Sequence, residues 1–503
     1  MKRLNFSLQS NSFYWLVLLT YASFIISWSF FHVPWRDEVS AISTAAQSHS
    51  LGDLFRNLRD VGHPSLWYLI LYFAYHLYPH YRVLKIVNLL INILSAGIFL
   101  KKAPFSWAHK ILFLLGFYPL YQFPIVNRGY GLFFLIFLLF CILYSSRWQK
   151  TLVLSAVLFL LCNSEAVGII ITVAVCLSMA TEYFFNQKST SFPKISPKTI
   201  WSSLAIVVIG IAISLWQTHP DSNSIVFSWS SLNIHKILSA IKQALFFPGY
   251  TFRHVLGGVL RKFVTLIIFG TYIILFQRPF ALGIMVFSII GISLFFQLFY
   301  PGYMPYHENF AYLLMLFTFW VSTEIPYKKL SKILINIFFT LILVAPITTA
   351  YHAIEMESMH EYSSSRVLAQ WIKMQPPLKN YVLMGEPDGL LESLPYYVSN
   401  EIYMPREKRF AKVRYLTTVN KKDFTLDELL QTAEDFKKHG RNVLVVMGNN
   451  LSMEGPFEIK GTYNRFFRYS PESLSQWNQK TIKMAEFRQA FYENENYDIY
   501  ILK

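Results

Sequence analysis

Residues 13–38 read FYWLVLLTYASFIISWSFFHVPWRDE. The first 19 of them, 13–31, carry no charge, close to the roughly 20 residues that a helix needs to cross a bilayer. Pro34 then turns the chain into Arg36, Asp37 and Glu38. A spanning helix that ends on two adjacent carboxylates is the unit from which the rest of the chain is read. Lys2 and Arg3 precede the apolar run and no small-residue cleavage site follows it, so a retained first helix starting in the cytoplasm is expected.

The same character continues along the chain. Of 503 residues, 54% are hydrophobic, 17% aromatic and only 15% charged. A soluble chain carries roughly 25% charged residues, so an ordinary cytosolic enzyme is excluded. Apolar segments near 13–33, 64–79, 83–100, 109–126, 129–145, 151–162, 165–185, 200–217, 263–277, 280–300, 309–324 and 331–351 mark residues 1–351 as a membrane domain. That domain holds 25 Lys and Arg against nine Asp and Glu, and residues 352–503 hold 20 against 20, so the whole excess of +16 lies in the membrane part. Such an excess reads as cytoplasmic-loop charge and contact with phosphate or lipid headgroups, not as nucleic-acid binding.

By the positive-inside rule, the loops with Lys101, Lys102 and Lys110, with Arg147 and Lys150, with Lys188, Lys194 and Lys198, and with Lys328, Lys329 and Lys332 are expected to be cytoplasmic. Loops 34–62, 218–262 and 301–308, the Asn127-Arg128 turn and the tail after 351 are then outside. Two apolar segments separate the first loop from Lys101 where an odd number of crossings is needed, which leaves 11 to 13 transmembrane helices. The tail, 352–503, reads as an extracytoplasmic α/β domain, with helices at 366–373 and 426–438 and strands at 381–384, 443–447 and 498–502. Gly385 to Gly389 follows a strand but lacks GxGxxG spacing and reads as a turn. Cys141, Cys162 and Cys176 all lie in apolar stretches and read as buried thiols, without a disulfide framework or CxxC site.

Four of the nine acids of the membrane part, Asp37, Glu38, Asp53 and Asp60, fall in loop 34–62. Apolar residues at Ile42, Ala45, Ala46, Leu51, Leu54, Phe55 and Leu58 suit one or two helices lying on the membrane interface. A carboxylate pinned there can take a proton from an incoming hydroxyl or amine. The plainer role is an acid at a helix start, complementing the dipole. Glu165, deep in an apolar stretch, is a site candidate or a structural partner for a buried polar group.

Arg36-Asp37-Glu38 after the first helix, the helices that follow, and Gly62-His63-Pro64-Ser65-Leu66-Trp67-Tyr68 resemble the first external loop of the GT-C membrane glycosyltransferases. The nearest branch is that of the protein O-mannosyltransferases, the aminoarabinose transferases of lipid A and their bacterial relatives. Ser65 stands where that branch usually has a second Pro. Asn127-Arg128-Gly129-Tyr130-Gly131-Leu132 is similar to an Arg-x-Tyr-x-Leu helix start of the bacterial relatives. Tyr306-His307-Glu308-Asn309 resembles an Arg-His segment, with Tyr306 where Arg is usual.

The resemblance implies transfer of a sugar from a polyprenyl phosphate or diphosphate to a lipid, glycan or protein acceptor on the outer side of the plasma or inner membrane. Asp37 is the implied general base, Glu38 assists it, and a single displacement inverts the anomeric centre. The substrate-binding candidates are Arg36, His63, Arg128, Tyr130, Arg253, His307 and Glu308, with His254, Arg261 and Lys262 as further phosphate partners. No cofactor is implied with certainty; a divalent metal held by His63 with Asp37 and Glu38 is left open. The alternatives are a transporter or flippase of lipid-linked saccharides, and a catalytically silent scaffold of the same fold. Transporters gather ionisable groups near the midplane of repeated halves, whereas these acids gather in one external loop.

Overall fold

Helices that are apolar around most of their circumference must be buried in protein or in lipid, and 66% of this chain is helical. The structure is a computed structural model that describes residues 2–59, 61–186, 189, 192–219, 223–224, 232–299, 305–491 and 495–503, with side chains described from residue 11 onward and not at Pro305. The readings at Asp60, at Lys188, over 225–231 in the long loop and over 301–304 lie outside the described residues.

The membrane part contains α1 (Lys2–Phe31), α2 (Arg36–Gln47), α3 (Leu51–Asn57), α4 (Leu66–Leu77), α5 (Val83–Lys102), α6 (Trp107–Leu115), α7 (Tyr130–Tyr144) and α8 (Thr151–Ser164). It continues through α9 (Ala166–Asn186), α10 (Pro197–Thr218), α11 (Ile234–Phe246), α12 (Val264–Ile274), α13 (Pro279–Phe299), α14 (Asn309–Ser322) and α15 (Lys329–Met359). Among the described residues, six helices are long and apolar enough to cross a membrane: α1 from Asn11, α5, α9, α10, α13 and α15. Helix α10 shows what such a helix turns outward: Trp201, Val208, Ile209 and Leu215 are exposed, as lipid contact requires. Helix α14 is the opposite case, buried at every position.

The apolar stretch 109–126 does not form one helix. Helix α6 stops at Leu115, where Gly116 turns to an extended conformation; a short π-helical turn, Tyr118–Gln122, follows with Pro119 near its start, and Pro124 beyond it has no N–H to continue the ladder. The carbonyls thereby released need partners at this depth. Asn88 Nδ2 on α5 bonds the carbonyls of Phe123 and Pro124, each at 3.0 Å, and Asn92 Nδ2 bonds Phe123 again at 3.1 Å. Gly131 lets α7 come this close to α5: a Cβ there would meet Asn92 Nδ2 at 2.4 Å.

The tail carries α16 (Ser365–Met374), α17 (Leu426–Lys438), α18 (Pro471–Lys480) and strands β1 (Val382–Glu386), β2 (Tyr403–Met404), β3 (Arg409–Phe410), β4 (Asp423–Thr425), β5 (Val443–Met447), β6 (Glu458–Lys460), β7 (Phe466–Arg468), β8 (Thr481–Phe487) and β9 (Tyr497–Leu502). The main sheet has the order β1-β5-β9-β8, with β1 and β5 parallel and β9 antiparallel to both neighbours. Every residue of β1 and of β5 is buried, which is why β5 is a continuous apolar run and β1 one up to Met384, not alternating patterns.

Loop 34–62 holds two helices, α2 and α3, and the apolar face of α2 is covered by protein. Its stripe of Val39, Ile42 and Ala45 is fully buried. The helix packs between α4 and the tail's 3-10 segment Asp388–Tyr396. Burying one Val or Ile contributes about 1.5–3 kcal/mol, so this stripe fixes the first loop against the tail. Lys412 N–H adds a bond to Gln47 Oε1 at 3.1 Å, and Arg366 Nη1 donates to the Phe31 carbonyl at 3.0 Å.

Candidate functional site

Asp37 occupies the first turn of α2, where the helix dipole favours an acid. Its side chain is 35% exposed. Arg128 donates from Nη1 to Asp37 Oδ2 at 3.1 Å, and Arg36 Nε stands 3.9 Å from Oδ1. Arg36 also reaches into the tail, with Nη1 at 3.5 Å from the buried carboxylate of Glu495. Asp37 is thus an accessible carboxylate with a guanidinium on either side.

Glu38 faces the other way. It is fully buried, and both its oxygens are engaged. Oε1 lies 2.9 Å from His32 Nε2 and accepts the Trp35 N–H at 3.4 Å; Oε2 accepts the backbone and side-chain N–H groups of Asn127, each at 2.7 Å. The second nitrogen of His32, Nδ1, stands 2.5 Å from Glu357 Oε1 near the end of α15. Carboxylate oxygens only accept, so an imidazole between two of them carries a hydrogen on each nitrogen. Tyr121 and Trp28 complete the shell of Glu357, donating to Oε2 at 2.8 and 3.2 Å. Glu38 therefore sets the position of the Asn127-Arg128 turn and ties it to α1 and α15.

His63 extends the cluster on the far side of Arg128. Its Nε2 is 3.3 Å from Arg128 Nη2 and its Nδ1 is 3.2 Å from Glu165 Oε2. Asp37, Arg128, His63 and Glu165 thus form one chain of alternating partners. Together with Trp67, Tyr68 and Gly129 they line a cleft that encloses about 30 Å³, room for one or two waters. Tyr130 lies under the Arg128 guanidinium, 5.6 Å from its ring centroid, and edge-on to His307 at 6.3 Å. Tyr306 approaches Trp35 at 6.2 Å between ring centroids, and Glu308 is fully buried beside them in the chain. The first loop, the Arg128 turn and the 306–308 stretch, far apart in sequence, meet here.

Arg253 does not join the cluster. It stacks 4.0 Å over the ring of Tyr250 and donates to that residue's carbonyl at 3.1 Å. Arg261 and Lys262 sit on the 3-10 segment Val259–Phe263. The metal arrangement of Asp37, Glu38 and His63 is not assembled, because Glu38 points inward to His32 and His63 is taken by Arg128 and Glu165. Among the described residues no group of three or more His, Cys, Asp and Glu side chains is placed to hold a metal ion.

Sequence reasoning passes over His32, Glu357 and Glu495 and names Asn127 only as part of the Arg128 turn; all four are buried polar residues touching this cluster. Glu357 lies past the apolar run that ends at 351, so hydropathy alone does not place it on the last helix, which continues to Met359. No family model, curated protein or solved structure matches the chain.

Proposed function

We propose that the chain is a membrane glycosyltransferase of GT-C type, moving a sugar from a polyprenyl phosphate or diphosphate to a hydroxyl or amine acceptor. In this reading the chain crosses the membrane 11 to 13 times, and the first loop and the tail lie outside. The observation that carries it is the environment of Asp37: a carboxylate open to a cleft and flanked by Arg128 and Arg36.

The chemistry needs both partners. Asp37 takes the proton of the acceptor as its oxygen or nitrogen attacks C1 of the sugar. The bond from C1 to the phosphate oxygen breaks with inversion, and the charge left on the phosphate needs cations close by. Arg128 touches the base, and a rotation of its side chain would let the guanidinium meet a leaving phosphate; Tyr130 lies beneath it and His307 beyond. A sugar needs far more space than the cleft encloses, so substrate entry has to widen it.

The test is transfer by the purified protein in detergent, with candidate donors chosen by mass spectrometry of envelope glycans and lipids from cells with and without the protein. Asp37→Asn keeps the shape and removes the proton acceptor, so transfer should fall by about 10²–10⁴-fold with folding unchanged. Wild-type rates in that variant, or no glycosidic product from any envelope donor, refute the reading.

A further inference from the structure

A cavity larger than the cleft at Asp37 lies elsewhere in the chain. It lies in the tail, holds about 530 Å³, and is lined by Asn449 just past β5, by Arg488 and Phe491 after β8, by Asn496 and Asp498 at the start of β9, and by the end of α15. Two general features mark it as a ligand site. Its size falls within the range of small-molecule pockets. It opens at the carboxyl end of β5, one of the two parallel strands, where ligands settle in open α/β sheets.

The lining chemistry selects the class of ligand. Arg488 is already matched: its Nη2 donates to Asp498 Oδ1 at 2.7 Å and its Nε stands 3.2 Å from Glu486. Lys483 Nζ adds a contact to Asp498 at 3.0 Å. A phosphate would have to break these pairs and face Asp498, so an anionic ligand is disfavoured. The amides, in contrast, are left with unused donors. Asn449 Nδ2 is buried without a hydrogen-bond partner, and a buried donor left so is costly. Asn496 spends its Oδ1 on Ser364 and on the Ala490 N–H, at 3.1 and 3.0 Å, which leaves its NH₂ to the cavity. Phe491, 41% exposed, offers a ring face beside them. Amide donors, a paired carboxylate and an aromatic face suit a neutral, hydroxyl-rich ring whose C–H face can lie on the phenyl group.

Position ties the cavity to the cleft. Asn496 lines it, and the preceding residue, Glu495, holds Arg36 beside Asp37. Phe491 is 6.4 Å from Tyr362, whose ring in turn packs on His32 at 5.0 Å. We propose that this cavity is a saccharide-binding site of the tail, which holds further sugar units of a glycan acceptor while the reacting end lies at Asp37. Saccharide binding stands on the cavity alone; its role as acceptor site rests on the transferase reading above.

The test uses the labelled full-length protein in detergent on an array of bacterial cell-envelope glycans. Wild type should bind a subset of neutral glycans, and Asn449→Ala and Phe491→Ala should each weaken that binding by about tenfold. No glycan bound, binding confined to phosphorylated glycans, or binding untouched by both cavity variants overturns the site. Glycan binding through Asn449 and Phe491 in a protein that transfers no sugar upholds the site and sinks the transferase reading instead.

Discussion

Arg128 donates to Asp37 across 3.1 Å, although the two residues are 91 positions apart in the chain. The same guanidinium reaches His63 at 3.3 Å and covers the ring of Tyr130. A lysine at this position would keep the charge but lose the planar fork that serves two partners at once. Arg128→Lys is therefore expected to lower kcat/KM for the lipid-linked donor by roughly 10²-fold, the usual scale for one missing electrostatic contact to a developing charge. Donor kinetics equal to wild type would remove Arg128 from the site.

Glu38 behaves differently from its neighbour. Removing its charge leaves His32 with one carboxylate instead of two and loosens the Asn127 turn. Loss of one partner from a buried charged pair costs about 3–5 kcal/mol. Glu38→Gln should thus lower the thermal midpoint of the detergent-solubilised protein markedly, whereas Asp37→Asn should leave it in place. Equal midpoints for the two variants would show that Glu38 has no such positioning role.

In the tail, Glu386 and Arg406 form a bidentate pair, with Nε and Nη2 at 2.8 and 2.6 Å and both side chains 2% exposed. Arg406→Ala strands a buried carboxylate and should destabilise the tail by about 3–5 kcal/mol; the double replacement Glu386→Leu with Arg406→Met should recover much of that. Chemical denaturation of the full-length protein followed by tryptophan fluorescence reads both.

Glu392 supplies a pH dependence. Burial pushes its carboxyl up from 4.5 to about 7, against the pull of Arg414. The folded state then holds the proton more tightly than the unfolded chain, so this group's contribution to stability is fully present below about pH 4.5 and is lost as pH rises through about 7. Relative to Glu392→Gln, wild type should lose stability across that window and run parallel above it. A constant difference between the two from pH 4.5 to 7.5 would contradict the assignment.

What the sequence shows and what it hides divide along physical lines. Features set by local pattern were legible. Strand β5 is a five-residue apolar run. Helix α17 opens with Thr425 and Glu428, which cap each other at 3.1 and 3.0 Å. The clustering of acids in loop 34–62 drew attention to Asp37. Features set by long-range packing were not. Strand β8 buries only Thr481 and Phe487 at its two ends, so it has no alternation to read. The amphipathic stripe of α2 predicts a covered face but not its cover, which is α4 and the tail. The inward turn of Glu38 depends on His32 and Glu357, and the latter two are separated by 325 positions.

The pair His32 and Glu357 joins the exits of α1 and α15. In an α-helix each added residue rotates everything beyond it by about 100° and advances it by about 1.5 Å. One residue inserted into α15 ahead of Glu357 would swing that carboxylate to another side of the helix, away from an imidazole that it meets at 2.5 Å. The angular phase of the last membrane helix is thereby locked to the end of the first. Changes in its length are tolerable near whole turns, with tilt absorbing the added rise, and any other change would unseat the floor on which Asp37 rests.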